Sequence, residues 1–176
     1  MKRIPLSLFT FLFLLSGLCA APTKTVWQIG EKNHSASELA LSPDKYKEFL
    51  ANDFGWEDRF YIIGLSSPQK DFPYVLPGPA DHWGGTSYTA GIRTHVLNIL
   101  FGMKEVPETD SWKLIIDLLD THHELPALFK ITINGKSWKY ALPKGSGKSI
   151  DGDYSQIKPH TIEIPLNSGV IRKGSN

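Results

Sequence analysis

Cysteine is almost missing from this chain of 176 residues. The single one, Cys19, sits in a leader-like stretch. Beyond residue 20 no thiol remains, which excludes disulfides, a cysteine nucleophile and zinc held through sulfur. An excess of either charge is missing too. Lys and Arg total 19 against 18 Asp and Glu, a net of +1. Two of the basic residues, Lys2 and Arg3, fall in the leader, so the remainder is close to neutral. Such a balance gives no general reason to expect nucleic acid or an anionic membrane as a partner. There is no Gly-x-Ser-x-Gly elbow, no phosphate loop, no internal repeat and no low-complexity tract.

What is present begins with that leader. Lys2 and Arg3 form a positive start, Ile4 to Leu15 an apolar run, and Ser16, Gly17, Cys19, Ala20 and Ala21 a small-residue end. This reads as a secretory signal peptide over residues 1–20, cut after Ala20. The run is too short to span a bilayer, and Leu18 before Cys19 is the wrong residue for a lipid-anchor signal. The expected location is secreted or periplasmic. Residues 21–176 then form one domain, long enough to bury roughly 70% of its unfolded surface without a covalent staple.

Twelve Pro and 15 Gly predict many turns and argue against a helix bundle. Short β-type runs recur: Thr25 to Ile29, Arg59 to Leu65, Ile92 to Phe101, and Thr161 to Ile164 closed by Pro165. Trp112, Leu114, Ile116 and Leu118 alternate with a mixed set, as a strand with one buried face requires. Ala127 to Ile133 and Ser137 to Leu142 flank Asn134-Gly135-Lys136, a strong hairpin pattern because a type I′ turn needs two residues at positive φ. One short helix is expected from Ser42 to about Asn52, with Pro43 at its first position and Tyr46, Phe49 and Leu50 on one face. Ser66 to Gly91 fits no strand, yet carries Phe72, Tyr74, Trp83 and Tyr88, so it reads as an ordered loop packed on the body. The fold class is all-β, a sandwich or barrel with one short helix.

Five residues are candidate ligand contacts: His82, Trp83, Tyr88, Arg93 and His95. Aromatic faces stack on the apolar faces of sugars, and Trp83 with its neighbours His82 and Tyr88 lies in the long loop. The alternative for Trp83 is that it pins the loop. Trp27 and Trp112 sit in apolar patterns that core packing explains. Arg93 and His95 are two apart and would share a strand face, where Arg could hold a carboxylate with two parallel bonds. The alternative is a solvated face. His122-His123 are poor joint metal ligands, since neighbours on a strand point to opposite faces. Asp151-Gly152-Asp153 hints at calcium but lacks the twelve-residue loop with its closing Glu, and a turn is the better reading. No cofactor is called for, and the scattered acids form no catalytic pair.

Several segments nonetheless look familiar. Val26-Trp27-Gln28-Ile29-Gly30-Glu31 resembles the opening of the jelly-roll module, domain III, of rhamnogalacturonan lyases of the polysaccharide lyase family 4 type. Phe60-Tyr61-Ile62-Ile63-Gly64 with Ser66, then Asp71-Phe72-Pro73, is similar to that module's second strand and loop. Ile131 to Gly135 is similar to its later hairpin, and Ile162 to Pro165 with Ile171 to Asn176 to its last strands. The resemblance implies a carbohydrate-binding jelly-roll β-sandwich attached to an enzyme that cleaves the pectin backbone by β-elimination. Its partners would be plant cell-wall polysaccharide and a catalytic domain of the same chain. The family's catalytic Lys and His belong to a separate domain, and no position here matches them. In that family the module comes last and continues past a glycine–asparagine into further strands. Here it follows the leader and stops at Asn176, which creates the expectation of a fragment lacking its last strand, with the enzyme downstream. Two other readings stay open: a lyase in its own right, or a structural wedge between domains.

Overall fold

The computed structural model describes residues 24–55, 59–83, 91–106 and 111–176. Among these residues eight strands appear, paired as ribbons: β1 (Phe60–Ile62) parallel to β2 (Asn98–Leu100), and β3 (Gly102–Met103) antiparallel to β8 (Gly174–Ser175). The longer pairs are β4 (Trp112–Leu118) with β7 (His160–Leu166), and β5 (Leu128–Ile133) with β6 (Lys136–Ala141), both antiparallel. Among the described residues the single α-helix, α1, spans Pro68–Asp71.

Alternation builds the main core. Along β4 the side chains of Trp112, Leu114, Ile116 and Leu118 turn inward, opposite Leu166, Ile164, Ile162 and His160 of β7. Phe129, Ile131 and Ile133 of β5, with Trp138 and Tyr140 of β6, pack against the same buried set of Ile162, Ile164, Leu166, Val170 and Ile171. Two ribbons thus enclose one apolar layer, and the fold is an all-β sandwich, as the pattern predicts. The hairpin forms as expected: Asn134 at φ 48° and Gly135 at φ 87° supply the type I′ turn, and Ile133 faces Lys136.

A second core lies outside the ribbons. Phe49, Phe54, Ala40 and Trp83 are buried together, with Tyr46, Leu50, Val75 and Leu76 around them. The helix expected over Ser42–Asn52 is only a 3-10 turn at Tyr46–Glu48. The reason is visible in the packing. Phe49 and Phe54 both enter this core, with ring centroids 5.8 Å apart, and a spacing of five does not fit one helix face. Asp53 at φ 64° reverses the chain between them.

Other runs are shorter or longer than expected. Thr25–Ile29 joins no ribbon among the described residues, and Trp27 instead leans on Phe101 at 5.3 Å. In the Arg59–Leu65 run the strand ends at Ile62, with one further bond from Ile63 N to Leu100 O. Gly64 at φ 88° turns the chain early, and the Leu65 and Ser66 amides donate back to Ile62 O. From the Ile92–Phe101 run only Asn98–Leu100 enters β2. In β7 the strand runs through Pro165 to Leu166, since a two-stranded ribbon leaves an edge where proline's missing N–H is tolerated. The α-helix falls inside the segment read as a loop. Ser67 precedes it, Pro68 starts it, and Asp71 accepts the Ser67 amide at 2.7 Å.

Candidate functional site

Three of the predicted contacts, Trp83, Arg93 and His95, gather around the second core. Phe49 is fully buried and is met edge-on by Trp83 at 5.7 Å and by His95 at 5.2 Å. Tyr46 meets the Trp83 ring from another side at 5.4 Å. Arg93 reaches the same segment, donating from Nη2 to Gly55 O at 2.7 Å. Gly55 is the common floor. A Cβ there would collide with Leu50 Cδ2 and lie 3.3 Å from Arg93 Nη2 and 3.4 Å from His95 Nδ1.

The sequence therefore named three residues that do come together, though not in the way expected. Residues 91–97 are not in a strand, so Arg93 and His95 do not share a strand face; they converge through the Phe49–Gly55 turn. Trp83 is 9% exposed, so its ring is engaged in packing, the loop-pinning alternative. Its indole N–H, inside that core, has no partner among the described residues. His82, next to it, is exposed. Tyr88 lies outside the described residues.

Arg59 secures this region. It donates to Asn52 O at 3.1 Å and to Lys70 O at 3.3 Å, and its guanidinium lies 4.4 Å from the centre of the Phe54 ring. Ala40 completes the frame. Its amide donates to Pro68 O and Phe72 O, and its carbonyl accepts from Tyr74 N.

The histidine pair departs from its expected geometry. His122 and His123 lie in a loop after β4, and their rings stack at 4.6 Å instead of pointing apart. His122 Nδ1 accepts the amides of Glu124 and Leu125. Among the described residues no group of three or more His, Cys, Asp or Glu could hold a metal. Asp151-Gly152-Asp153 is a turn. Gly152 is left-handed at φ 76°, and Asp153 accepts from Ser155, whose bonds hold its carboxyl below the usual value.

Two features went unread in the sequence. One is Asp120. Burial alone would raise its pKa, but hydrogen bonds from Ser146 Oγ and N, Thr121 N and Lys158 N outweigh that and lower it. It also accepts from Lys148 N at 3.1 Å, so one carboxylate organises the loop from Gly145 to Lys158. The other is the outer face of the β5/β6 hairpin, where Lys130 stands directly opposite Lys139. Counting outward from Asn134-Gly135 would have found that pair. Among the described residues no helix is long and apolar enough to cross a membrane.

No curated protein and no solved structure matches the chain. The family model for the CBM-like domain III of polysaccharide lyase family 4 matches residues 25–176, so the chain belongs to that family.

Proposed function

We propose that this chain is an exported, non-catalytic accessory module that binds rhamnogalacturonan-type pectin and presents it to a lyase domain. The observation that carries the reading is the family match across residues 25–176. It is supported by the all-β sandwich and by the leader-like first twenty residues. A jelly-roll order of strands and a covalently joined catalytic domain belong to the same reading. The first contact surface is the rim of the second core. His82 is exposed there beside the pinned Trp83, and Arg93, His95 and Tyr88 are the further candidate contacts.

Titration of the secreted chain with rhamnogalacturonan oligosaccharides, followed by calorimetry and by ultraviolet absorbance, tests this. Heat of binding without new absorbance from an unsaturated uronate is the expected result. Appearance of unsaturated product would make the chain a lyase. Absence of both would leave the wedge between domains as its role.

A further inference from the structure

The two outer faces of the sandwich handle charge in opposite ways. On the β4/β7 ribbon every charged side chain that points outward from β4 has a partner. Lys113 donates to Glu163 at 2.8 Å, and Asp117 accepts from Lys32 at 2.7 Å and from Thr161. On the β5/β6 ribbon the outward residues are Leu128, Lys130 and Thr132, facing Ala141, Lys139 and Ser137. Lys130 and Lys139 are directly opposed, and neither has an ion pair among the described residues. Side chains in register across two antiparallel strands start only about 5 Å apart, where like charges repel.

The surrounding sequence does not relieve that repulsion. Between Glu124 and Asp151 the chain carries Lys130, Lys136, Lys139, Lys144 and Lys148 and no carboxylate. The whole chain is balanced, so this is a local segregation of positive charge on a hairpin held rigid by its inner face. An unpartnered pair of lysines on a rigid strand face is a charge-complementary seat for an anion from outside.

The rest of the face narrows the anion. About 7 Å along the strands from the lysine pair, two residues on, Thr132 Oγ1 and Ser137 Oγ lie 2.8 Å apart and present hydroxyls. On the other side of the pair is Leu128, 66% exposed, opposite Ala141. The face therefore offers, in line, hydroxyl groups, two ammonium groups and an apolar step. A polymer that alternates uronate carboxylates with the methyl groups of a deoxysugar matches that order; a neutral glucan or a uniformly charged polyanion does not.

We propose that the outer face of the β5/β6 hairpin is a uronate-binding surface, with Lys130 and Lys139 holding a galacturonate carboxylate of a rhamnogalacturonan chain and Leu128 meeting the neighbouring rhamnose methyl. This rests on the carbohydrate-binding reading above and gives it a second, separate surface. The carboxylate is held by charge-assisted hydrogen bonds, so affinity falls with salt.

The test uses the full secreted chain and two double variants, Lys130→Gln with Lys139→Gln and Lys130→Glu with Lys139→Glu. The probes are a rhamnogalacturonan oligosaccharide, the same oligosaccharide with its carboxyls reduced to alcohols, and heparin. The wild-type chain is expected to prefer the first probe to the other two. The Gln variant should bind it about tenfold more weakly, the effect of one charge-assisted hydrogen bond. The Glu variant should lose more. The melting temperature of the Gln variant should stay level or rise, because a repulsion is removed, which separates binding from folding. Unchanged affinity in the Gln variant while the wild type binds would overturn this surface and leave the accessory function standing. Equal binding of heparin or of the reduced oligosaccharide would overturn the uronate assignment. Failure of the wild type to bind any of them would overturn the carbohydrate-binding reading itself.

Discussion

In the sandwich, Ile162, Ile164 and Leu166 are buried because a strand ladder turns every second residue inward. Around Phe49 the burial is as complete, yet no ladder supports it. There the chain is shaped by turns, and aromatic edges and the Arg59 guanidinium take the place of cross-strand hydrogen bonds. The first core is regular and its residues are interchangeable in kind. In the second, Phe54, Trp83 and His95 all converge on the one ring of Phe49, so its members are not. A periodic core tolerates repacking, whereas one assembled from turns depends on individual shapes.

Paired truncations break the comparison most directly. Phe49→Ala and Trp83→Ala should each cost about 3–5 kcal/mol, and Ile164→Ala about 2–5 kcal/mol, read from denaturant unfolding. The pattern should differ more than the size. Hydrogen exchange in the Phe49→Ala protein is expected to rise at Ala40 and Tyr74, whose amides hold the turn-built core, while the β4/β7 amides stay protected. Equal loss of protection in both regions would show that they unfold as one unit. His82→Ala, at an exposed position, should leave stability within about 0.5 kcal/mol and alter only oligosaccharide affinity.

A middle-sized effect belongs to Asp120, outside both cores. Its folded pKa lies below the unfolded value of about 3.9. Its contribution to stability is therefore fully present above that unfolded value and is lost as pH falls through the folded one. Asp120→Asn should cost about 1–3 kcal/mol at neutral pH and flatten the acid limb of the stability curve. An acid limb identical to that of wild type would show that this carboxylate does not organise the Gly145–Lys158 loop. The smallest effect belongs to the exposed Lys32–Asp117 pair. Lys32→Ala should cost less than about 1 kcal/mol, and less still in high salt.

What could be read in advance follows the same division. The alternation in Trp112–Leu118 and the Asn134-Gly135 turn are local rules, and both elements formed as expected. Thr25–Ile29 has the composition of a strand but no paired neighbour among the described residues, and composition alone cannot supply one. The turn-built core escaped because its members, Ala40, Phe49, Phe54 and Trp83, share no period. The two-residue spacing of Arg93 and His95 predicts a shared strand face, but they meet for another reason, the floor at Gly55. The opposed lysines were within reach of simple counting from the hairpin turn. Apart from its neighbour Thr121, the partners of Asp120 lie 26 to 38 positions away and were not.

The hairpin turn has one more consequence. Asn134 donates from Nδ2 to Val170 O at 2.7 Å and to Asn176 Oδ1 at 2.8 Å, while its Oδ1 accepts from Arg172 at 3.0 Å. An asparagine followed by glycine is the dipeptide most prone to spontaneous deamidation. Hydrolysis of this amide would erase both donated bonds and set an anion against two oxygen acceptors, with only Arg172 in compensation. Deamidation at Asn134 would therefore loosen the tie between the hairpin and the Val170–Asn176 segment, and a gain of one dalton in the peptide containing Asn134 would mark it.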